Sequence, residues 1–219
     1  MRINNRRITV HYALIQALYW ISYCLMINFA GVFLLDKGLT SGEIGLVLGL
    51  SYLFSACLQP AAGVAFSRAK LRLNQCALGV YMLIAALSLS LFLAPSGKVL
   101  LEIRVIALFT LQSMMQPTIN SLSRGFEPGG VKLSFGLARG IGSLAFSVAC
   151  LAAGQLLRHM APSVLPCLYF VTASMLAVAL MAYRVSGERQ VDEDSGENSS
   201  YGEMLRSHSH FLFFLLGVA

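Results

Sequence analysis

The chain has 219 residues, of which 57% are hydrophobic and only 12% charged. A soluble domain carries about a quarter of its residues as charges, so this composition excludes an ordinary water-soluble globule and demands a surface that faces lipid. The net charge of +6 is no nucleic-acid footprint, because the basic residues stand singly between apolar runs and form no stripe.

The amino-terminal MRINNRR leads directly into an apolar run over residues 10–35. A secretory signal has an apolar core of roughly 7–15 residues followed by a small-residue cleavage site. Neither feature fits, so this run is expected to be a first membrane helix. A span needs about 20 mostly apolar residues, and six stretches qualify: 10–35, 44–67, 73–94, 99–123, 133–157 and 164–183. Residues 1–184 are thus expected to form the membrane bundle. The polar, acidic stretch 185–210 reads as a cytoplasmic linker, and 211–219 (FLFFLLGVA) as the start of a truncated seventh span. The expected fold class is all-α: a polytopic six-helix transmembrane bundle laid out as three plus three inverted repeats, a common transporter construction.

Every Lys and Arg except Lys37, Lys98, Arg158 and the intramembrane Arg104 falls in segments on the N-terminal side of the spans. By the positive-inside bias that side is cytoplasmic, which predicts a multi-pass protein of the plasma (inner) membrane with its N-terminus inside.

Two spans carry polar faces. The first has Tyr12, Gln16, Tyr19, Trp20 and Tyr23. Such a face suits either a ligand with a ring-shaped apolar body and polar substituents or helix–helix packing. The fourth contains Glu102, Arg104, Gln112, Gln116, Pro117 and Asn120. An ionised group at mid-bilayer costs roughly 2.5–3.5 kcal/mol, so such groups face a protein interior or a wet cavity. At about 100° per residue, Glu102, Ser113, Gln116 and Asn120 fall along one line, while Arg104 points nearly opposite, toward the interface. The candidate substrate-cavity residues are therefore Gln16, Tyr19, Tyr23, Ser113, Gln116 and Asn120. Glu102, the only acidic residue inside an apolar span, is the candidate for proton coupling; the competing reading places it among the headgroups.

The fifth span aligns Gly136, Gly140, Ser143, Ser147, Cys150 and Gly154 on one arc, and Gly45 and Gly49 make a GxxxG in the second. Small residues in stripes let membrane helices approach closely, so these are expected to be packing faces. Arg139, on the fifth span, either takes an anionic group, steadies a cytoplasmic gate, or snorkels to the interface.

The cysteines Cys24, Cys57, Cys76, Cys150 and Cys167 all lie in apolar runs with no C-x-x-C spacing, and read as small buried hydrophobes rather than a disulfide or metal framework. Gly140-Ile-Gly142-Ser-Leu-Ala145 matches G-x-G-x-x-A formally, but that fingerprint requires a preceding strand. His208 and His210 read as interfacial side chains. No enzyme, metal or cofactor chemistry is expected.

DKGLTSGEIGLVLGL and GVAFSRAKLR resemble the first outer loop and the following cytoplasmic loop motif of the major facilitator superfamily. Gly63, Arg68 and Arg72 match that motif; Ser67 replaces its acidic residue and Lys70 its second glycine. QPTINSL with Arg139-Gly140-Ile141-Gly142-Ser143 is similar to the lactose permease-like, nucleoside–proton symporter-like and phenylpropionate permease-like subgroup, in which an acidic residue often lies near the position of Asn120. The resemblance implies the N-terminal half of a secondary transporter working by alternating access. Helices 1 and 4 would line the cavity, helices 2 and 5 would face the other half, and helices 3 and 6 would lie outside. The implied partners are the lipid bilayer, a small organic solute (sugar, nucleoside or aromatic acid), protons, and the missing C-terminal half or a second copy. A half-size homodimer and a non-transporting sensor or assembly protein are the alternatives.

Overall fold

The computed structural model describes residues 5–69, 71–93, 97–123 and 133–183. The expected linker (185–210) and seventh span (211–219) lie outside the described residues, as do Lys70, Arg124 and Lys132. Among the described residues every regular element is helical: α1 (Asn5–Tyr23), a π-helical turn (Cys24–Asn28), α2 (Ala30–Asp36), α3 (Ser41–Arg68), α4 (Leu73–Leu93), α5 (Lys98–Met114), α6 (Gln116–Ser121), α7 (Phe135–Leu156) and α8 (Leu165–Ala182), with a short 3₁₀ turn at Pro162–Val164. Six helical stretches are long and apolar enough to cross a membrane: Arg7–Asn28, Ser41–Arg68, Leu73–Leu93, Lys98–Ser121, Phe135–Leu156 and Pro162–Ala182. The fold is the all-α polytopic bundle expected, with the spans in their expected places.

Two expected helices are not continuous. The run 10–35 passes through the π-helical turn and breaks at Phe29, so α2 is a separate short helix. The run 99–123 breaks at Met115, between α5 and α6. Pro117 is the physical cause of the second break, since it has no N–H to donate and its ring crowds the carbonyl four residues back.

The junction between α2 and α3 is written in local sequence. Gly38, with φ +82°, takes the left-handed conformation that glycine adopts without steric cost. Its N–H donates to Leu35 O at 2.9 Å and that of Leu39 to Leu34 O at 3.0 Å, the paired bonds of a Schellman stop. The buried side chains of Leu34 and Leu39 close it. Thr40 then caps α3 reciprocally with Glu43, and Lys98 at the start of α5 reaches Glu43 Oε1 at 2.6 Å.

The spans pack in a regular pattern. The most extensive interfaces join spans 1 and 5, 3 and 6, and 2 and 4, followed by 1 with 6 and 3 with 4. That pattern is unchanged when spans 1, 2 and 3 are exchanged with 4, 5 and 6, as a three-plus-three repeat requires. The core lies where spans 1, 3, 4 and 6 meet, around Tyr12, Ile15, Tyr19, Tyr81, Ile84, Leu108, Tyr169 and Leu176. The first span is 61% buried within this unit and the fourth 50%, against 22% for the second and 11% for the fifth. Spans 2 and 5 therefore present most of their surface outward.

Candidate functional site

Gln112, one residue from the predicted stripe, is the centre of a buried polar knot. Its amide nitrogen donates to Ser22 Oγ at 3.1 Å, and its amide oxygen accepts from Tyr169 OH at 2.9 Å. The Tyr19 hydroxyl donates to its carbonyl at 3.5 Å, while Ser22 donates to Tyr19 O at 2.8 Å. Spans 1, 4 and 6 are thereby tied through groups whose hydrogen bonds are made. Tyr19 is only 1% exposed, so its ring belongs to this joint.

One turn away, Gln16 bridges spans 1 and 4. Its amide nitrogen donates to Tyr12 OH at 2.7 Å and to Asn120 Oδ1 at 3.1 Å. Tyr12 OH in turn lies 3.3 Å from the carbonyls of Ile119 and Asn120. The structure thus brings together Gln16 and Asn120. Gln16 Oε1, Trp20 Nε1 and Ser113 Oγ are buried with no hydrogen-bond partner among the described residues, as are Asn74 Oδ1 and, beside the Gln112 knot, Tyr81 OH. Buried polar atoms are normally satisfied, so each of these marks a place where a partner belongs.

Trp20 is the pivot of this region. Its indole meets Tyr19 edge-on at 5.3 Å, Tyr23 at 5.5 Å and Phe146 at 6.1 Å. The Arg139 guanidinium lies over the ring at 4.1 Å, inside the range of a cation–π contact. Arg139 is half-buried and has no carboxylate within ion-pair distance among the described residues. Gly142 makes the arrangement fit: a Cβ there would stand 2.7 Å from Trp20 Cδ1.

The glycines of the small-residue stripe pack against nothing among the described residues. Gly136, Gly140, Ser143 and Ser147 are exposed, and no atom lies within 4 Å of a Cβ built on Gly136, Gly140, Gly154, Gly45 or Gly49. Within this unit the close helix approach is made by Gly142, on another side of α7. Nor are all the cysteines buried hydrophobes: Cys24 and Cys76 are buried, Cys57 is exposed, and Cys150 and Cys167 are half-buried.

The remaining candidates are more scattered. Tyr23 is half-buried, its hydroxyl 3.5 Å from that of Tyr52. Gln116 and Glu102 are half-buried, and neither has a hydrogen-bond or ion-pair partner among the described residues. Arg104 Nη1 donates to Ser90 O of α4 at 3.4 Å. Gly63 lies within α3 and Arg68 ends it, both exposed; Arg72 follows, its backbone N–H held by Gln75 Oε1 at 3.0 Å. An apolar furrow of about 1080 Å³ runs between α1 and α8, lined by residues such as Leu14, Leu18, Met175 and Val178, and is separate from the polar face. Among the described residues no group of three or more His, Cys, Asp or Glu is placed to hold a metal ion.

The sequence alone shows Trp20 only as part of an aromatic face and gives no reason to set Gln112 or Ser22 apart as site or joint residues. The one signal for Gln112 was an amide deep in an apolar span.

Six membrane-competent helices packed as a three-plus-three repeat, with a polar joint between spans 1 and 4, define a polytopic helical membrane protein of transporter architecture. The family model for the MFS_1 like family matches residues 10–217, and the chain belongs to that family, within the major facilitator superfamily. Members of this superfamily are generally transporters rather than enzymes. No curated protein and no solved structure gives a significant match.

Proposed function

We propose that this chain is one bundle of a secondary transporter that moves a small organic anion with a ring-shaped apolar body, by alternating access. The observation that carries this reading is the Arg139 guanidinium stacked on Trp20 with no carboxylate partner among the described residues. A cation held inside a membrane bundle needs a counter-charge, and a substrate carboxylate supplies one. The indole and the rings of Tyr23 and Phe146 offer flat apolar contact, and the unpartnered atoms Gln16 Oε1, Trp20 Nε1 and Ser113 Oγ, buried in this arrangement, would offer polar ones once the bundle opens to a ligand. Among the three substrate classes, this chemistry favours an aromatic acid over a sugar or nucleoside. Gln16, Tyr23, Ser113, Gln116 and Asn120 are the proposed cavity contacts, and Tyr19 supports them from behind. Glu102 is the proposed proton-coupling group, and Gly63, Arg68 and Arg72 the cytoplasmic loop element. The N-terminus is proposed to be cytoplasmic in the plasma membrane.

A second bundle, in the same polypeptide or as a second copy, is proposed to cover the outward faces of spans 2 and 5. Their low burial and open glycines support that partner.

Trp20 is the chain's only tryptophan, so its emission reports directly on the site. Titrating the protein in lipid nanodiscs with benzoate and phenylacetate should give a saturable change in emission, absent with benzyl alcohol and lost in Arg139→Ala. A response that is equal for the acids and the alcohol, or unchanged in Arg139→Ala, overturns the anion assignment.

A further inference from the structure

Cys24 and Cys150 are 126 positions apart, yet their sulfurs lie 3.0 Å from each other. That is within about 1 Å of the ~2 Å bond of a disulfide. Cys24 opens the π-helical turn of the first span, and such wide turns recur at functional sites. Cys150 is half-buried on α7, and the exposed Asn28, which ends the same π turn, donates its side-chain N–H to the Cys150 sulfur at 3.4 Å. The π turn thus presents both a sulfur and an amide donor to one cysteine of the neighbouring span. No third His, Cys, Asp or Glu joins the two sulfurs among the described residues.

We propose that Cys24 and Cys150 form an oxidation site, a dithiol that hydrogen peroxide converts to a disulfide between spans 1 and 5. Cys150 is the attacking group because it is the more exposed of the two. Its sulfur takes one oxygen of the peroxide as the O–O bond breaks, leaving a sulfenic acid and releasing one water. The Asn28 N–H faces the charge that develops on this sulfur. The Cys24 sulfur then displaces the sulfenic hydroxyl, which leaves as a second water carrying the Cys24 proton. Two thiols and one peroxide give one disulfide and two waters. The bond would pin the π turn to α7 until a thiol reductant reverses it. Nothing in this proposal depends on what the protein carries.

The test uses membranes holding the full chain, exposed to hydrogen peroxide, then denatured in N-ethylmaleimide, digested and read by mass spectrometry. The expected product is a reducible peptide pair joining Cys24 and Cys150, with Cys57 and Cys167 recovered as maleimide adducts. In Cys24→Ser the pair is absent, and dimedone traps a sulfenic acid at Cys150. Recovery of both thiols as maleimide adducts overturns the proposal, as does separate over-oxidation of each without a link. The same yield of linked peptides from chain denatured before peroxide also overturns it, because folding would then not be what brings the sulfurs together.

Discussion

The first span carries two polar regions a turn apart, and they differ in how many of their polar atoms are partnered. Around Tyr19, Ser22 and Gln112 the hydrogen bonds across spans 1, 4 and 6 are made, with Tyr81 OH, beside Gln112, left over among the described residues. Around Gln16, Trp20 and Arg139 some are left over: among the described residues an amide oxygen and an indole N–H lack hydrogen-bond partners, and the guanidinium stacked on Trp20 has no carboxylate. Both regions look alike as sequence, because each is amides and aromatic rings in an apolar helix. The difference separates a joint from a binding face. A satisfied network holds helices in one arrangement, whereas an unsatisfied one stores a desolvation cost that an incoming ligand relieves.

Breaking the joint should have the largest effect on stability. Gln112→Ala orphans the Tyr169 hydroxyl, takes the donor from Ser22 and leaves a void, and should lower stability by about 3 kcal/mol. Thermal unfolding in detergent checks this; a melting temperature within error of wild type would mean that the joint is not structural. Gly142→Ala acts on the boundary between the two regions. The added methyl meets an indole already hemmed in by Tyr19, Phe146 and Arg139, and overpacking of this kind costs about 1–3 kcal/mol. Trp20 emission should shift in the same variant, since the ring must move.

The binding face should answer the other way. Arg139→Ala should cost only about 1 kcal/mol of stability, the worth of a partly exposed cation–π contact, yet weaken aromatic-acid binding tenfold or more by Trp20 titration. Ser113→Ala removes a buried hydroxyl that has no partner among the described residues, so its stability should be unchanged within about 0.5 kcal/mol or slightly raised. A loss comparable to that of Gln112→Ala would show that Ser113 belongs to the joint, and the contrast between the regions would fail.

The spans follow from the chain's hydropathy alone. Hydropathy is a sum over neighbours in the chain, and a lipid surround leaves an apolar run of some twenty residues little choice but a helix. The stop at Gly38 and the cap at Thr40, which hydropathy passes over, are equally local, since every participating atom is within a few residues. What the sequence could not rank were its polar residues. Ideal helical phase put Ser113, Gln116 and Asn120 on one line with Glu102, but the break at Met115 divides them between two helices. Gln112 lay off that line and became the joint because its partners, Ser22 and Tyr169, are 90 and 57 residues away. The glycine stripe of the fifth span obeyed the rule for close packing, yet the glycine that touches a neighbour is Gly142. Whether a buried amide is partnered or left over depends on which atoms of distant spans reach it, and those are brought together only by packing.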